Sequence, residues 1–459
     1  MVVFKLKNNE VINVFPVKDA EESSNKYYYN LIDVNKQDKI WMRLKLIDNH
    51  FLINDKDPDI IDSDEDISDI LDELVLEIIE KEQSGTENSE SSSEVVNPYN
   101  PDNIKVQTKA FNIKLISDMI DNGDIDLSPD FQRNFVWNPI QKSRLIESIL
   151  LRIPLPMFYF SENEEGLITV VDGLQRLTSI KDFIDNKFPL KGLEYLSANC
   201  EGRYYKDDPL NRKSGIDSKY FRWFNMTQFT VNVIDPSSPS KVKYDIFKRI
   251  NTGGKPLNNQ EIRNCLASKN LRETLREMVD LPEFKSATDR SIRPVRMEDK
   301  EVALRFICFS NYYNDDQTLN NYNGNMEYSL DDITEKLGRE RKEILTKYVK
   351  SFSNSMKNAE YLFGKYAFRK IRPKDLEPNS YKQLINKALF VSCSILLSQY
   401  NHIDIKVKNE PNSLAEPLAK LINEDQQLFY FLSYGTNGKV NLQYTFTAIT
   451  NLLNNHLNY

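Results

Sequence analysis

The chain has 459 residues, enough for two or three folded units and a sizeable core. Apolar residues make up 40% and charged residues 28%, which excludes a wholly disordered, collagen-like or disulfide-framework protein. The net charge of -8 is uneven: Asp55 to Glu94 holds 16 acidic and two basic residues, so the remainder carries 58 basic against 52 acidic. That mildly basic body tolerates a phosphate-bearing ligand without requiring one.

The longest nearly uncharged apolar run, Ala388 to Ser398, is too short to cross a bilayer, and the N-terminus lacks a signal-peptide pattern. The expectation is a soluble, cytoplasmic protein with no membrane partner. Four dispersed cysteines and three histidines (His50, His402, His456) make a Cys/His zinc site unexpected.

In chain order, residues 1–54 read as a small β-rich unit, with alternating runs at Val2 to Leu6, Val11 to Val17 and Ile40 to Leu46. Residues 55–103 read as an acidic helix and flexible linker. Ile67, Ile70, Leu71, Leu74, Val75, Ile78 and Ile79 form one helical stripe among carboxylates, and Gln83 to Asn97 lacks apolar periodicity. A stripe of this kind needs a partner surface. Tethered to a basic body, the segment is expected either to cover that body as an acidic mimic of DNA or to act as a solvated spacer.

Residues 104–270 alternate strand and helix signals. Asn138 and Pro139 form a cap and first-turn pair for a helix from Ile140 to Leu151, stopped by Pro154 and Pro156. A strand at Met157 to Phe160 follows. Leu167 to Val171 is a second strand, Asp172 and Gly173 make the turn, and Leu177, Ile180, Phe183 and Ile184 mark a helical face. Residues 271–459 read as a helical domain without repeats.

Three segments could carry chemistry. In Asp172-Gly173-Leu174-Gln175-Arg176, a helix N-terminus exposes free amides and Arg176 adds a forked donor for phosphate oxygens. Gly173 would admit a ligand to the backbone, and Asp172 could hold magnesium or orient a water. Alternatively, Asp172 caps the helix and Arg176 pairs with a carboxylate. Phe131 to Trp137 places Gln132 and Arg133 between aromatic residues that could stack on a base or anchor the core. Asn251-Thr252-Gly253-Gly254 can form an anion nest or a plain turn before a helix near Asn258; it lacks Walker A spacing.

Five ordered blocks, F-Q-R-N-F-V-W at Phe131 to Trp137, K-S-R-L-I-E-S-I-L at Lys142 to Leu150, P-L-P at Pro154 to Pro156, V-D-G-L-Q-R-L at Val171 to Leu177, and R-I-N-T-G-G-K-P-L with its following Q-E-I-R at Arg249 to Arg263, together resemble the GmrSD-type N-terminal domain family. The resemblance implies an α+β protein: a ParB/sulfiredoxin-like mixed core at 104–270, between the β-rich N-terminal unit and the all-helical C-terminal domain. It further implies a module that binds and hydrolyses a nucleoside triphosphate, ATP or GTP with magnesium, in bacterial defence against foreign or modified DNA.

On that resemblance Asp172, Gln175 and Arg176 are the catalytic candidates, with Asp172 also the metal candidate. Gln132, Arg133, Gly173, Arg176, Asn251, Thr252, Gly253 and Gly254 are the nucleotide-binding candidates. Leu174 departs from the family's D-G-Q-Q-R and cannot donate to a phosphate.

Two other readings stand beside the nucleotide-hydrolysing one: a non-catalytic adaptor for DNA or protein, and a self-sufficient metal-dependent nuclease. No HNH nuclease is expected, because the C-terminal half offers only His402 and His456, so cutting would fall to a partner nuclease. Residues 339–374, with 11 basic and three acidic residues and interleaved aromatics, are expected either to contact DNA or to be helices with an aromatic core and a basic face.

Overall fold

The computed structural model describes the chain except residues 1, 8–9, 21–26, 34–38, 48–49, 64–65, 69, 72–73, 76–77, 79–85, 87–104, 128–136, 239, 251–256, 314–317 and 379. The fold is mixed α+β with two sheets. Contacts divide it into two compact units, Val95–Ser268 and a second that joins Met1–Glu94 to Lys269–Tyr459.

The N-terminal strands β1 (Val2–Lys5), β2 (Val11–Ala20), β3 (Tyr27–Asp33), β4 (Ile40–Ile47) and β5 (His50–Lys56) pair in sequence order as an antiparallel meander. Period-2 alternation sends Val2, Phe4, Ile12 and Val14 inward. The described residues of 66–78 are helical (α1), and Ile67, Leu71, Leu74 and Ile78 are buried in one cluster with Phe4, Val14, Leu31, Met42 and Leu44. At about 1.5–3 kcal/mol per buried aliphatic side chain, this stripe holds the helix firmly on the sheet. The expected acidic mimic is corrected accordingly: the apolar face that would have docked on a basic surface is already covered. In the expected linker, Thr86 is buried, bridges Ile385 and donates its hydroxyl to Glu298 at 2.9 Å.

The Val95–Ser268 unit contains β6 (Val106–Asn112), α2 (Ile113–Asn122), β7 (Ile125–Asp126), α3 (Pro139–Leu150), β8 (Phe158–Glu162), β9 (Ile168–Asp172), α4 (Leu174–Ile184), α5 (Ser197–Cys200), α6 (Ser218–Met226), β10 (Gln228–Ile234), α7 (Ser240–Ile250) and α8 (Asn259–Leu266). Its sheet order is β6-β10-β8-β9-β7, with β10–β8 and β7–β9 parallel and the other pairs antiparallel. Asn138 and Gln141 make a reciprocal capping box on α3, and Pro139 occupies its first turn. Ile146, Ile149, Phe158, Phe160, Leu177, Phe183 and Phe224 pack the core between sheet and helices.

Glu147, in the middle of α3, is buried and accepts the backbone N–H groups of Glu194, Tyr195 and Leu196 at 3.0, 2.7 and 2.8 Å. Burial alone would raise its pKa; the three donors outweigh burial and hold it below the usual carboxylate range.

The remaining helices are α9 (Lys269–Asp280), α10 (Pro282–Ala287), α11 (Glu298–Tyr312), α12 (Met326–Gly338), α13 (Lys342–Phe363), α14 (Lys387–Leu397), α15 (His402–Lys408), α16 (Ala415–Glu424), α17 (Gln426–Ser433) and α18 (Lys439–His456). The apolar run that is too short for a membrane is α14, buried along its whole length. Among the described residues no helix is long and apolar enough to cross a membrane. At the start of α14, Lys387 Nζ reaches Glu298 Oε2 at 2.9 Å and Glu301 Oε1 at 3.0 Å. Within 339–374, four of the six interleaved aromatics, Tyr348, Phe352, Phe363 and Phe368, are core residues, while Tyr361 and Tyr366 are half-buried. Arg369 is also internal, donating to Lys365 O, Thr288 O, Ser291 Oγ and Gln383 O. In the Asn401-to-Asp404 stretch, Asn401 caps α15 and His402 Nδ1 lies 2.9 Å from Asn358 Oδ1.

Candidate functional site

The D-G-L-Q-R sequence spans the end of β9 and the first turn of α4. Gly173 sits between them at φ +99°, a left-handed conformation that L side chains rarely adopt. A Cβ there would meet the Phe158 ring at 2.3 and 2.8 Å and Arg176 Nη2 at 3.2 Å. The space above the glycine, expected to admit a ligand, is filled by Phe158 and Arg176.

Arg176 lies one turn into the helix. Its Nη2 donates to Asp172 Oδ2 at 2.8 Å and to Met157 O at 3.1 Å, its Nη1 donates to Pro156 O, and its guanidinium lies 4.2 Å from the Phe158 ring centroid. The side chain is 11% exposed, against 36% for Asp172. Desolvation pulls the Arg176 pKa down while Asp172 pulls it up, and a guanidinium so paired stays charged at neutral pH. The expectation of an Arg176 that offers its fork to phosphate is therefore corrected: the fork already clamps strand end, helix start and the Pro156–Met157 bend together. The i, i+4 spacing of Asp172 and Arg176 was the sequence signal for this pair.

Asp172 does not cap α4, since Gly173 occupies that position without a side-chain bond. A cation on Asp172 would face the Arg176 guanidinium held against one of its oxygens, so Asp172 alone does not suit magnesium. Among the described residues no group of three or more His, Cys, Asp or Glu stands ready to hold a metal.

Leu174, which replaces the family's first glutamine, is buried in the core with Leu177 and Ile180. Gln175 Oε1 accepts the Trp137 N–H over a long 3.4 Å, which brings the end of the F-Q-R-N-F-V-W block beside the D-G-L-Q-R turn. Gln132 and Arg133 of that block lie outside the described residues, as do Asn251, Thr252, Gly253 and Gly254. Helices α7 and α8, on either side of 251–256, are described. Ile262 and Cys265 of α8 pack with Val171 at the end of β9, and Tyr244 and Ile246 of α7 join them. Asn258 and Glu261 form a capping box that starts α8.

Residues 116–268 match the family model of the GmrSD restriction endonuclease, N-terminal domain. This segment belongs to that family. The match ends at Ser268, where the compact unit also ends. No curated protein matches the chain. The GmrSD-type domain thus holds all five sequence blocks and the whole candidate site, and it covers about a third of the chain.

Proposed function

We propose that the GmrSD-type domain is the nucleotide-binding module of a bacterial restriction or anti-phage system, with a ParB/sulfiredoxin-like core that seats ATP or GTP at the N-terminus of α4. One observation carries this reading: the end of β9 gathers the D-G-L-Q-R turn, the end of the F-Q-R-N-F-V-W block through Gln175 and Trp137, and the two helices that flank 251–256. A helix start after a left-handed glycine offers backbone N–H groups and a positive dipole end to phosphate.

In this reading Arg176 is a positioning residue that fixes Asp172 and the Pro156–Met157 bend. Gln175 and the outer oxygen of Asp172 orient ligand or attacking water. Gln132, Arg133 and Asn251 to Gly254 complete the phosphate seat. Nucleotide state then controls engagement of foreign or modified DNA, and a partner nuclease does the cutting. Calorimetry with ATP and with GTP, alongside phosphate release with and without duplex DNA, tests it. Failure of both nucleotides to bind would end the proposal.

A second reading, an adaptor that binds without turnover, is favoured by two particulars. Leu174 is spent on the core, and the Arg176 fork is spent on internal acceptors, which leaves fewer groups to stabilise a phosphoryl in transfer. Nucleotide binding without phosphate release selects this reading.

A further inference from the structure

The cations of the GmrSD-type unit fall into two groups. Four on or beside α3 and α4 are paired with acids: Lys142 lies 2.9 Å from Asp182, Arg144 2.9 Å from Glu194, Lys181 3.0 Å from Asp121 and Lys187 3.1 Å from Asp182. Residues 203–222 carry six basic and three acidic side chains. Among the described residues none of those six forms an ion pair within 4 Å, although Lys213 acts on Asp208 at longer range. Two of the three acids are used locally, Asp207 by the Gly215 N–H at 2.9 Å and Asp208 by Asn211 Nδ2 at 2.8 Å.

Three of them, Lys206, Lys213 and Lys219, rest on aromatic rings instead, and Arg152 joins Lys219 on Trp223. Arg152 and Lys219 lie 4.2 and 4.6 Å from the Trp223 ring centroid, and Lys206 lies 5.3 Å from that of Tyr205. The rings are anchored: Tyr205 is buried, and Phe221 and Trp223 pack against the core. A ring quadrupole orients a cation without cancelling its charge, whereas a carboxylate cancels it. Lys219 and Arg222 are exposed one helical turn apart on α6. The result is a set of positive charges without ion pairs on and beside α6: Lys219 and Arg222 on the helix, with Arg152 and Lys206 held against its Trp223 and Phe221.

We propose that the α6 face bearing Lys219 and Arg222, with Arg152 and Lys206 beside it, contacts the phosphate backbone of duplex DNA. The proposal rests on the reading above that this system engages DNA, and it names the surface. Backbone contact rather than base stacking follows from Trp223, whose π system is already engaged by two cations; single-strand readers need free aromatic faces. Phosphate contacts of this kind position a protein on DNA without reading sequence.

The test is fluorescence anisotropy of a labelled random-sequence duplex with the full chain, at roughly 50 to 200 mM salt. The expected result for Lys219→Glu with Arg222→Glu is a loss of about tenfold or more in affinity and a log–log salt slope shallower by about two. Lys342→Glu with Lys357→Glu, the same charge change on α13 at cations already paired with Glu273 and Glu283, leaves affinity within about twofold. Should the α6 reversal unfold the protein, Lys219→Gln with Arg222→Gln replaces it, and a smaller loss in the same direction is expected. An unchanged affinity and slope in the α6 variant, a loss confined to the α13 variant, or binding to phosphatidylserine vesicles but not to duplex each overturns the assignment. If the parent chain binds no duplex at all, the DNA reading falls with the surface; if it binds and the α6 variant matches it, only the surface falls.

Discussion

Arg176 Nη2 meets Asp172 Oδ2 at 2.8 Å across one helical turn, and the same guanidinium lies over the Phe158 ring. Strand end, helix start and the Pro156–Met157 bend are joined through this one side chain. Substitution of Arg176 by Ala is expected to cost about 2–4 kcal/mol, because Asp172 loses its partner and two carbonyls lose their donor. Urea denaturation measures it. Arg176→Lys should recover only part, since one ammonium nitrogen cannot span acceptors that Arg176 reaches from two separate nitrogens, Nη1 and Nη2. A stability equal to the parent's would show that the clamp is not formed.

Gly173→Ala is expected to destabilise by about 1–3 kcal/mol through its positive φ and the clash with Phe158. Phe158→Leu in the same chain should relieve the clash but not the backbone strain. The comparison of thermal midpoints separates the two contributions, and a neutral Gly173→Ala would contradict both.

Glu147 links stability to pH with a definite sign. Its folded pKa lies below the unfolded value of about 4.3, so its stabilisation is fully present above that pH and is lost as pH falls through the lower folded value. Glu147→Gln should cost about 1.5–3 kcal/mol at neutral pH, and the gap to the parent should narrow as pH falls below the unfolded value and close as it passes the lower folded one. Denaturant midpoints across that range report it; a gap independent of pH would refute the linkage.

All four cysteines are buried free thiols, and burial pushes Cys200 up to about 11 and Cys393 up to about 12. Thiol-reactive dye should label the native protein slowly at neutral pH and rapidly in denaturant. Fast labelling of the folded chain would count against this packing.

Lys387 is buried between two half-buried carboxylates; burial lowers its pKa, but Glu301 and Glu298 outweigh burial and raise it. Lys387→Met removes the cation the two acids share, while Glu301 keeps Arg305 at 2.8 Å and Glu298 keeps the Thr86 hydroxyl at 2.9 Å, so the expected cost is about 2–4 kcal/mol. Lys387→Met combined with Glu298→Gln, which leaves Glu301 as the partner of buried Arg305, should recover part of that loss in a chemical melt; no recovery would show that the cost lies elsewhere.

Much of the local structure was legible. Asn138-Pro139 announced α3, the Leu167-to-Ile184 pattern announced strand, turn and helix, and the 3,1 spacing from Ile67 to Ile78 announced an amphipathic helix. Each depends on a period or a cap that neighbours in the chain decide among themselves. The family blocks were legible for a similar reason, as ordered short strings.

What occupies an exposed-looking group was not legible in this way. An apolar stripe states that α1 must be covered, yet only packing revealed that the N-terminal sheet covers it and no basic surface is needed. Arg176 is the sharper case: its charge and position suit phosphate, but Phe158, Pro156 and Met157 come from another strand and its approach, and they take the guanidinium first. Likewise, basic residues are equally visible at 203–222 and 339–374, while their compensation by carboxylates or placement on aromatic rings depends on side chains distant in the chain. Periodicity and capping are short-range properties written along the backbone; the pairing of a charge depends on what the folded chain brings within a few ångströms of it.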